Sequence, residues 1–527
     1  MTARLDGLSC AYHVDEEILV DDLPGEVATV LLRTAFGEEF PAELRNGQAR
    51  ISGLPAGTHT VELRSTDGTL LEEELVSVRE QAGEDPVLAF ATSFDAETVP
   101  STLRWLKRLR CTVVQIYDWM ESYSRPLGPP GLYRDGVGRE IDRRALQQLI
   151  SGVRRLRVVP QAYAPVIAAD PKAHADWRLV RNDGETESLG DLLDIMDPGN
   201  PAWQREWLDQ YGAAADALRF SGFHLDTYGY PRSAADAGGR SVSMADAYTS
   251  FVAAVRAARP YEVLSFNQVN GVPSGFRPPA SPSFRYAEVW PPNDRWRHLE
   301  GLMSRSAGQA PRHGDTLAIY PPVWDGDRAA GLRTAVLSEA VPAALGIGTL
   351  IWGDAAGALR HPYYVNHERL TPSEADTVIE WHRFALRCRD LFRSGQDTSW
   401  YELEDENAAV TVSASVPARP EPVGGTLFTR VVHTADTAVV SVLDLSGSAD
   451  GSWAQETAPG TCRSAVISAL LPQPERWRGH AAVLGRDGGR FVPIELTTSD
   501  HREGRAVTCE LPIADGWSVL RLKYQKD

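Results

Sequence analysis

Five apolar runs in this chain of 527 residues close on an acid or an amide: VVQIY before Asp118, GFHL before Asp226, VLSF before Asn267 with Asn270 just beyond, RYA before Glu288, and LIWG before Asp354. A carboxylate beside an apolar strand end is expensive to desolvate unless it is paired or used, so the cluster points to function. Singly, each acid reads as well as a rim residue held by a salt bridge or a helix N-cap. Asp226 and Glu288 say more as a pair. They close the fourth and sixth runs, and two strand-end carboxyls facing each other across a barrel mouth suit glycosidic cleavage. One carboxylate attacks the anomeric carbon or places water, and one carboxylic acid protonates the leaving oxygen. Position alone also fits aldolases, isomerases and metal-dependent hydrolases. A metal hydrolase wants strand-end histidine pairs, yet only His224 lies inside a run, while His361 and His367 fall in the later HPYYVNH stretch. No run ends on the lysine a Schiff-base enzyme needs. No metal and no cofactor are expected.

Aromatic residues narrow the ligand class. Tyr117, Trp119, Tyr123, Tyr228, Tyr230, Trp290, Tyr320, Trp324 and Trp352 fall at or just past run ends. Sugar rings stack their CH faces on such side chains and offer hydroxyls to acids and amides, although several of these aromatics are expected simply to pack loops. The predicted substrate contacts are Asp118, Trp119, Tyr117, His224, Tyr228, Asn267, Asn270, Trp290, Tyr320, Trp352 and Asp354. Trp105, Trp203, Trp207 and Trp381 sit in helical patterns and read as core.

The elements that must position these residues follow from periodicity. Eight apolar runs at 87–93, 111–117, 157–163, 221–226, 262–267, 284–289, 316–320 and 348–352 alternate with helical patterns, which predicts a (β/α)8 TIM barrel over 87–395 with its site at the strand carboxyl ends. Residues 1–86 alternate in short segments broken by LPGE, LPAGT and TDGT, predicting an immunoglobulin-like β-sandwich. After a closing helix at 373–393, alternation returns, predicting a C-terminal antiparallel β-sandwich over 396–527. Composition agrees with a folded chain: 43% hydrophobic, 24% charged and 8% aromatic. With 53 Lys and Arg against 71 Asp and Glu, the net charge is −18, which makes nucleic acid and anionic membrane poor partners. Five scattered cysteines form no CxxC pair, so neither a disulfide framework nor a zinc site is expected. The opening stretch MTARLDGLSCAYHVDEEILV lacks an apolar signal core, and no run approaches the ~18 residues of a membrane span, so a cytoplasmic location is expected.

Four segments occur in order at barrel spacing: VVQIYDWM (113–120), GFHLDTYG (222–229), SFNQVNG (265–271) and YAEVWPPND (286–294). Together they resemble glycoside hydrolase family 66, the endo-dextranases and cycloisomaltooligosaccharide glucanotransferases. The resemblance implies that Asp226 is the nucleophile of a retaining mechanism, Glu288 the general acid and base, and Asp118 an acid that holds sugar hydroxyls or fixes a neighbouring loop. Retention implies carboxyl groups about 5 to 5.5 Å apart. No stretch is long enough for the extra carbohydrate-binding module expected of cyclising members, so hydrolysis of short α-1,6-glucans is the first expectation. Transglycosylation is the alternative, and a non-catalytic carbohydrate-binding protein the reading of another class. The loop at 128–141 and the segment at 170–191 are the expected cleft-closing elements.

Overall fold

The computed structural model describes residues 5–525 apart from 182, 228, 230–233, 273–281, 308–313, 400–402, 404–408, 502–503 and 515. Tyr228 and Tyr230 therefore lie outside the described residues. The chain is a sheet-rich multidomain fold. Its central sheet takes strands in sequence order: β1 (Leu88–Ala91), β2 (Val113–Ile116), β3 (Val159–Pro165), β4 (Gly222–Asp226), β5 (Val263–Asn267), β6 (Phe284–Glu288), β7 (Thr316–Ala318) and β8 (Gly348–Leu350). Each pairs in parallel with the next. Past Ile351 the chain forms β9 (Trp352–Gly353), whose Gly353 pairs in parallel with Phe90 of β1. A Cβ on Gly353 would stand 2.2 Å from the Phe90 carbonyl, so this return of the sheet to its first strand requires glycine. The eighth run thus splits at Ile351 between two partners. A hairpin, β10 (Gly357–Ala358) and β11 (Glu368–Arg369), extends the sheet to eleven strands.

Helices α1 (Val99–Arg108), α2 (Arg143–Arg155), α3 (Pro201–Leu218), α4 (Met244–Ala258), α5 (Leu299–Ala307), α6 (Arg328–Ala344) and α7 (Pro372–Arg393) connect or follow the strands. Their starts follow local chemistry. Asn200 caps the N–H of Ala202 and puts Pro201 at the first helical position, and Thr371 and Glu374 form a reciprocal capping box for α7. Strand alternation divides the sheet into two faces. On β4, Phe223 meets Trp207 of α3 edge to face at 5.3 Å; on β5, Phe266 meets Tyr248 of α4 at 5.5 Å. His224 and Asp226, and Ser265 and Asn267, therefore share the opposite face.

Before this sheet, a five-stranded sheet and a three-stranded sheet enclose a core that includes Leu5, Ile18, Val30, Leu32, Val61 and Val76. The pairing is antiparallel except at one edge, where Ala11–His13 runs parallel to Leu70–Arg79. After α7, Gln396–Asp397 joins a C-terminal sheet through Leu427–His433, and a four-stranded antiparallel sheet packs with it. Trp517 ties that part to α7, lying 5.0 Å from Phe384 and 6.4 Å from Phe392 between ring centres. Among the described residues no helix is long and apolar enough to cross a membrane, and no group of three or more histidine, cysteine or acidic side chains is placed to hold a metal ion. All five cysteines are buried and unpaired.

Candidate active site

Asp226 ends β4 and Glu288 ends β6, with β5 between them. Both are buried, at 4% and 6% exposure, which demands partners for any charge they carry. Asp226 has them. Its Oδ1 accepts from the Thr227 backbone N–H and from Asn267 Nδ2, each at 2.8 Å, and its Oδ2 accepts from the Tyr163 hydroxyl at 2.8 Å. Three donors fix the orientation of this carboxyl group. Thr227 is itself tied across the strand tops, its Oγ1 donating to the Asn267 carbonyl at 3.0 Å.

Glu288 is shifted by its surroundings. Burial first, and then the charge of Asp226, push its carboxyl up to about 8; the Tyr320 hydroxyl, the Trp290 indole and Asn267 oppose the shift without cancelling it. The indole Nε1 of Trp290 donates to Glu288 Oε2 at 3.0 Å. Asn267 joins the two acids through a single side chain: Nδ2 serves Asp226 while Oδ1 accepts the Glu288 backbone N–H at 3.2 Å. A carboxyl held by three donors thus sits beside one that is protonated at neutral pH. Such a pair can deliver one nucleophile and one proton to opposite sides of a glycosidic bond.

Tyrosines surround the pair. Tyr117 stacks on Tyr364 at 4.3 Å with an interplanar angle of 12° and meets Tyr163 at 4.2 Å; Tyr364 lies 6.0 Å from Tyr320 and shares a 2.5 Å hydroxyl contact with Tyr286. Burial raises the Tyr286, Tyr320 and Tyr364 hydroxyls well above their ordinary range, so they stay neutral. Asp118 follows β2 in a left-handed conformation (φ 50°). Burial pushes its carboxyl up to about 7, with Asp135 and Asp226 adding to the shift and Arg139 opposing it. Arg139, from the 128–141 loop, donates to the Asp118 carbonyl at 2.6 Å and the Thr92 carbonyl at 2.7 Å, pinning that loop over the ends of β1 and β2.

The remaining predicted contacts divide. Asn270 supports the loop that carries Trp290, its Oδ1 accepting the Trp290 backbone N–H at 2.9 Å. His224 lies one layer below Asp226, fully buried, with Nδ1 accepting from Gln115 at 3.0 Å and lying 2.9 Å from Ser265 Oγ; burial pulls it down to about 4, so it is a neutral packing and hydrogen-bonding group. Three others point away from the acids. Trp119 is wholly buried against Phe220 and donates to the Tyr163 carbonyl at 3.0 Å. Trp352 donates to Glu339 of α6 at 2.7 Å. Asp354 accepts from the N–H (2.9 Å) and hydroxyl (2.5 Å) of Thr92, where it fastens the end of β9 to the end of β1. Tyr163 and Tyr364 were not among the predicted contacts. Tyr163 was within reach of the sequence, because it stands on β3 in register with His224, on the face that carries Asp226; Tyr364 opens a single 3-10 turn (Tyr364–Asn366) with no such signal.

A parallel sheet whose strand ends bring a donor-held carboxyl beside a protonated one, with tyrosines around both, offers the groups that glycosidic cleavage requires. The chain belongs to glycosyl hydrolase family 66, whose family model matches residues 60–520. Two cycloisomaltooligosaccharide glucanotransferases from Niallia circulans are 23% and 24% identical over 233 residues, 39% of this chain. The match spans about a quarter (24%) of those relatives' length. In structure the chain is similar to a Paenibacillus sp. cycloisomaltooligosaccharide glucanotransferase complexed with cycloisomaltoheptaose, with a TM-score of 0.78 at 16% identity, covering 97% of this chain and 98% of that one. A maltogenic alpha-amylase from Thermotoga neapolitana is more distant, with a TM-score of 0.50 at 13% identity over 84% of this chain and 99% of that one.

Proposed function

We propose that the chain is a retaining enzyme acting on α-1,6-glucans, with Asp226 as nucleophile and Glu288 as general acid and base, and that a sugar hydroxyl resolves the covalent intermediate. The observation that carries the reading is the opposed state of two carboxyls bridged by Asn267, one held by three donors and the other held protonated. In the first step an Asp226 oxygen bonds to the anomeric carbon, the glycosidic C–O bond breaks, and the Glu288 proton passes to the leaving oxygen. In the second, Glu288 takes the proton of an acceptor hydroxyl, whose oxygen displaces Asp226 and restores the original configuration. The Thr227 backbone N–H and the Asn267 and Tyr163 side chains, each 2.8 Å from Asp226, limit its motion between the steps.

We read the central sheet as a (β/α)8 barrel between β-sandwiches at 1–86 and 396–527; the unbroken parallel order and the return of Gly353 to Phe90 support it. Transfer is preferred to hydrolysis because both curated relatives and the structural neighbour carry the name glucanotransferase. The expectation of hydrolysis rested on a missing extra module, but 98% of that neighbour's chain has a counterpart here, so this criterion does not separate the two. Incubation with isomaltooligosaccharides and dextran, with products resolved by size and first-formed anomer, tests each part. Products longer than the substrate, or cyclic, support transfer. Shorter α-anomers alone indicate hydrolysis, β-anomers overturn retention, and no product from any α-1,6-glucan removes the substrate assignment.

A further inference from the structure

A cavity of about 580 Å³ lies between the N-terminal five-stranded sheet, α7 and the C-terminal sheet, and shares no lining residue with the carboxyl pair. It runs against the charge of the whole molecule. Its walls carry Arg33, Arg64, Arg387, Arg490, Arg521 and Lys523 against two carboxylates, in a chain of net charge −18. Three of these cations are neutralised. Arg33 pairs with Glu39 at 2.6 Å and with Glu62 at 2.7 Å, Arg64 pairs with Glu62 at 2.7 Å, and Arg387 pairs with Glu73 at 2.8 Å. Arg490, Arg521 and Lys523 pair with no carboxylate among the described residues.

Arg521 is the most telling. It is 5% exposed, its guanidinium lies 4.6 Å above the Phe491 ring, Nη1 donates to the Ala35 carbonyl, and buried Nε meets no acceptor. Lys523 Nζ donates to the Phe36 carbonyl at 3.1 Å, on the same stretch of chain. The charges of Arg521, Lys523 and Arg33 reinforce burial in pulling the His480 imidazole, on the cavity wall, below its ordinary value. An arginine stays charged when buried, and burying it without a counter-charge is costly. We propose that this cavity binds a phosphate group, inorganic or borne by a sugar, with Arg521, Lys523 and Arg490 as its cationic ligands. Phosphate matches three cations better than a single carboxylate does, because it carries up to two charges and offers the arginine fork paired oxygens. The volume leaves room for a sugar ring beside it, against Phe491 and Pro493. The ligand would bridge strands from both flanking sheets.

The test is calorimetric and 31P NMR titration of the full chain with inorganic phosphate and with glucose 6-phosphate, at ionic strength matched by chloride, together with melting curves. Saturable binding of either ligand with a raised melting temperature is expected; binding of both identifies the phosphate as sufficient, and binding of the sugar phosphate alone identifies the ring as necessary. Arg521→Met should weaken binding about tenfold or more, the loss of a charge-assisted fork. Arg490→Gln, at a half-buried position, should weaken it severalfold while glucan turnover and the unliganded melting temperature stay unchanged. Absence of saturable binding up to about 20 mM in the wild type, far beyond a specific site's range, overturns the proposal. So does equal affinity in wild type and Arg490→Gln together with Arg521→Met.

Discussion

Removing the indole donor from Glu288 should move the alkaline edge of activity upward, and both the sign and the size follow from the site. With its carboxyl pushed up to about 8, Glu288 is about 90% protonated at pH 7, whereas an ordinary glutamate near 4.3 would be about 0.2% protonated, a difference of about 450-fold in competent enzyme. In the wild type kcat/KM should therefore fall as pH rises through about 8. Trp290 Nε1 donates to Oε2 and favours the ionised form, so its loss raises the carboxyl further. A hydrogen bond to a charged group is worth about 1.5 to 3 kcal/mol and one pH unit about 1.36 kcal/mol. Because Trp290 is only partly buried, Trp290→Phe should displace the edge by about one unit at the low end of that range. The assay is initial rate on isomaltooligosaccharides from pH 5 to 10. A wild-type rate that is flat across this range, or a Trp290→Phe edge that is unmoved or lowered, refutes the assignment of Glu288 as the acid.

Other consequences use different readouts. Glu288→Gln should lose about 10²- to 10⁴-fold in kcat on oligosaccharides yet recover much of it on a glycosyl fluoride, whose leaving group needs no proton, while Asp226→Asn should fail on both. Glu288 sheds its proton near 4.3 when unfolded but near 8 when folded, so its ionisation weakens folding progressively between those values. Melting curves should show Glu288→Gln gaining on the wild type as pH rises through that window, and matching behaviour at every pH would contradict the raised carboxyl. Asn267→Ala removes the donor to Asp226 and the acceptor for the Glu288 N–H, and about 1.5 to 3 kcal/mol of lost hold corresponds to about 10- to 150-fold in kcat with the fold retained by circular dichroism. Asp354→Ala strands the buried Thr92 donors and should cost about 3 kcal/mol of stability, read by denaturant melts, with kcat and KM unchanged at a temperature where the variant is folded.

The strand order was legible because parallel strands buried on both faces read as apolar runs, and seven of the eight match single elements. The eighth divides at Ile351, where the backbone exchanges its pairing with β7 for pairing with β1. That exchange depends on a long-range fit at Gly353 that no local pattern encodes. The closing helix was also legible, through Thr371, Glu374 and its apolar periodicity. The cationic cavity was not: its walls come from residues 33–70, 387 and 480–523, and only packing brings them together.

Within the site, what could be read depends on whether side-chain parity survives to the residue in question. Along β4, β5 and β6 alternation holds to the last residue, so Asp226, Asn267 and Glu288 emerge on one face and the sequence alone sufficed to pair them. Parity also assigns Trp352 outward, since it adjoins Gly353 at the pairing with Phe90, and its indole goes to Glu339. After β2 the rule ends. Asp118 adopts φ 50°, a conformation that reverses the chain's alternation, and the next side chain, Trp119, turns into the core against Phe220. Aromatics beyond a strand end therefore cannot be assigned to a cleft by position. The left-handed turn that hides Trp119 also brings the Asp118 carbonyl to Arg139, so the conformation that spoiled the prediction is the one that anchors the 128–141 loop.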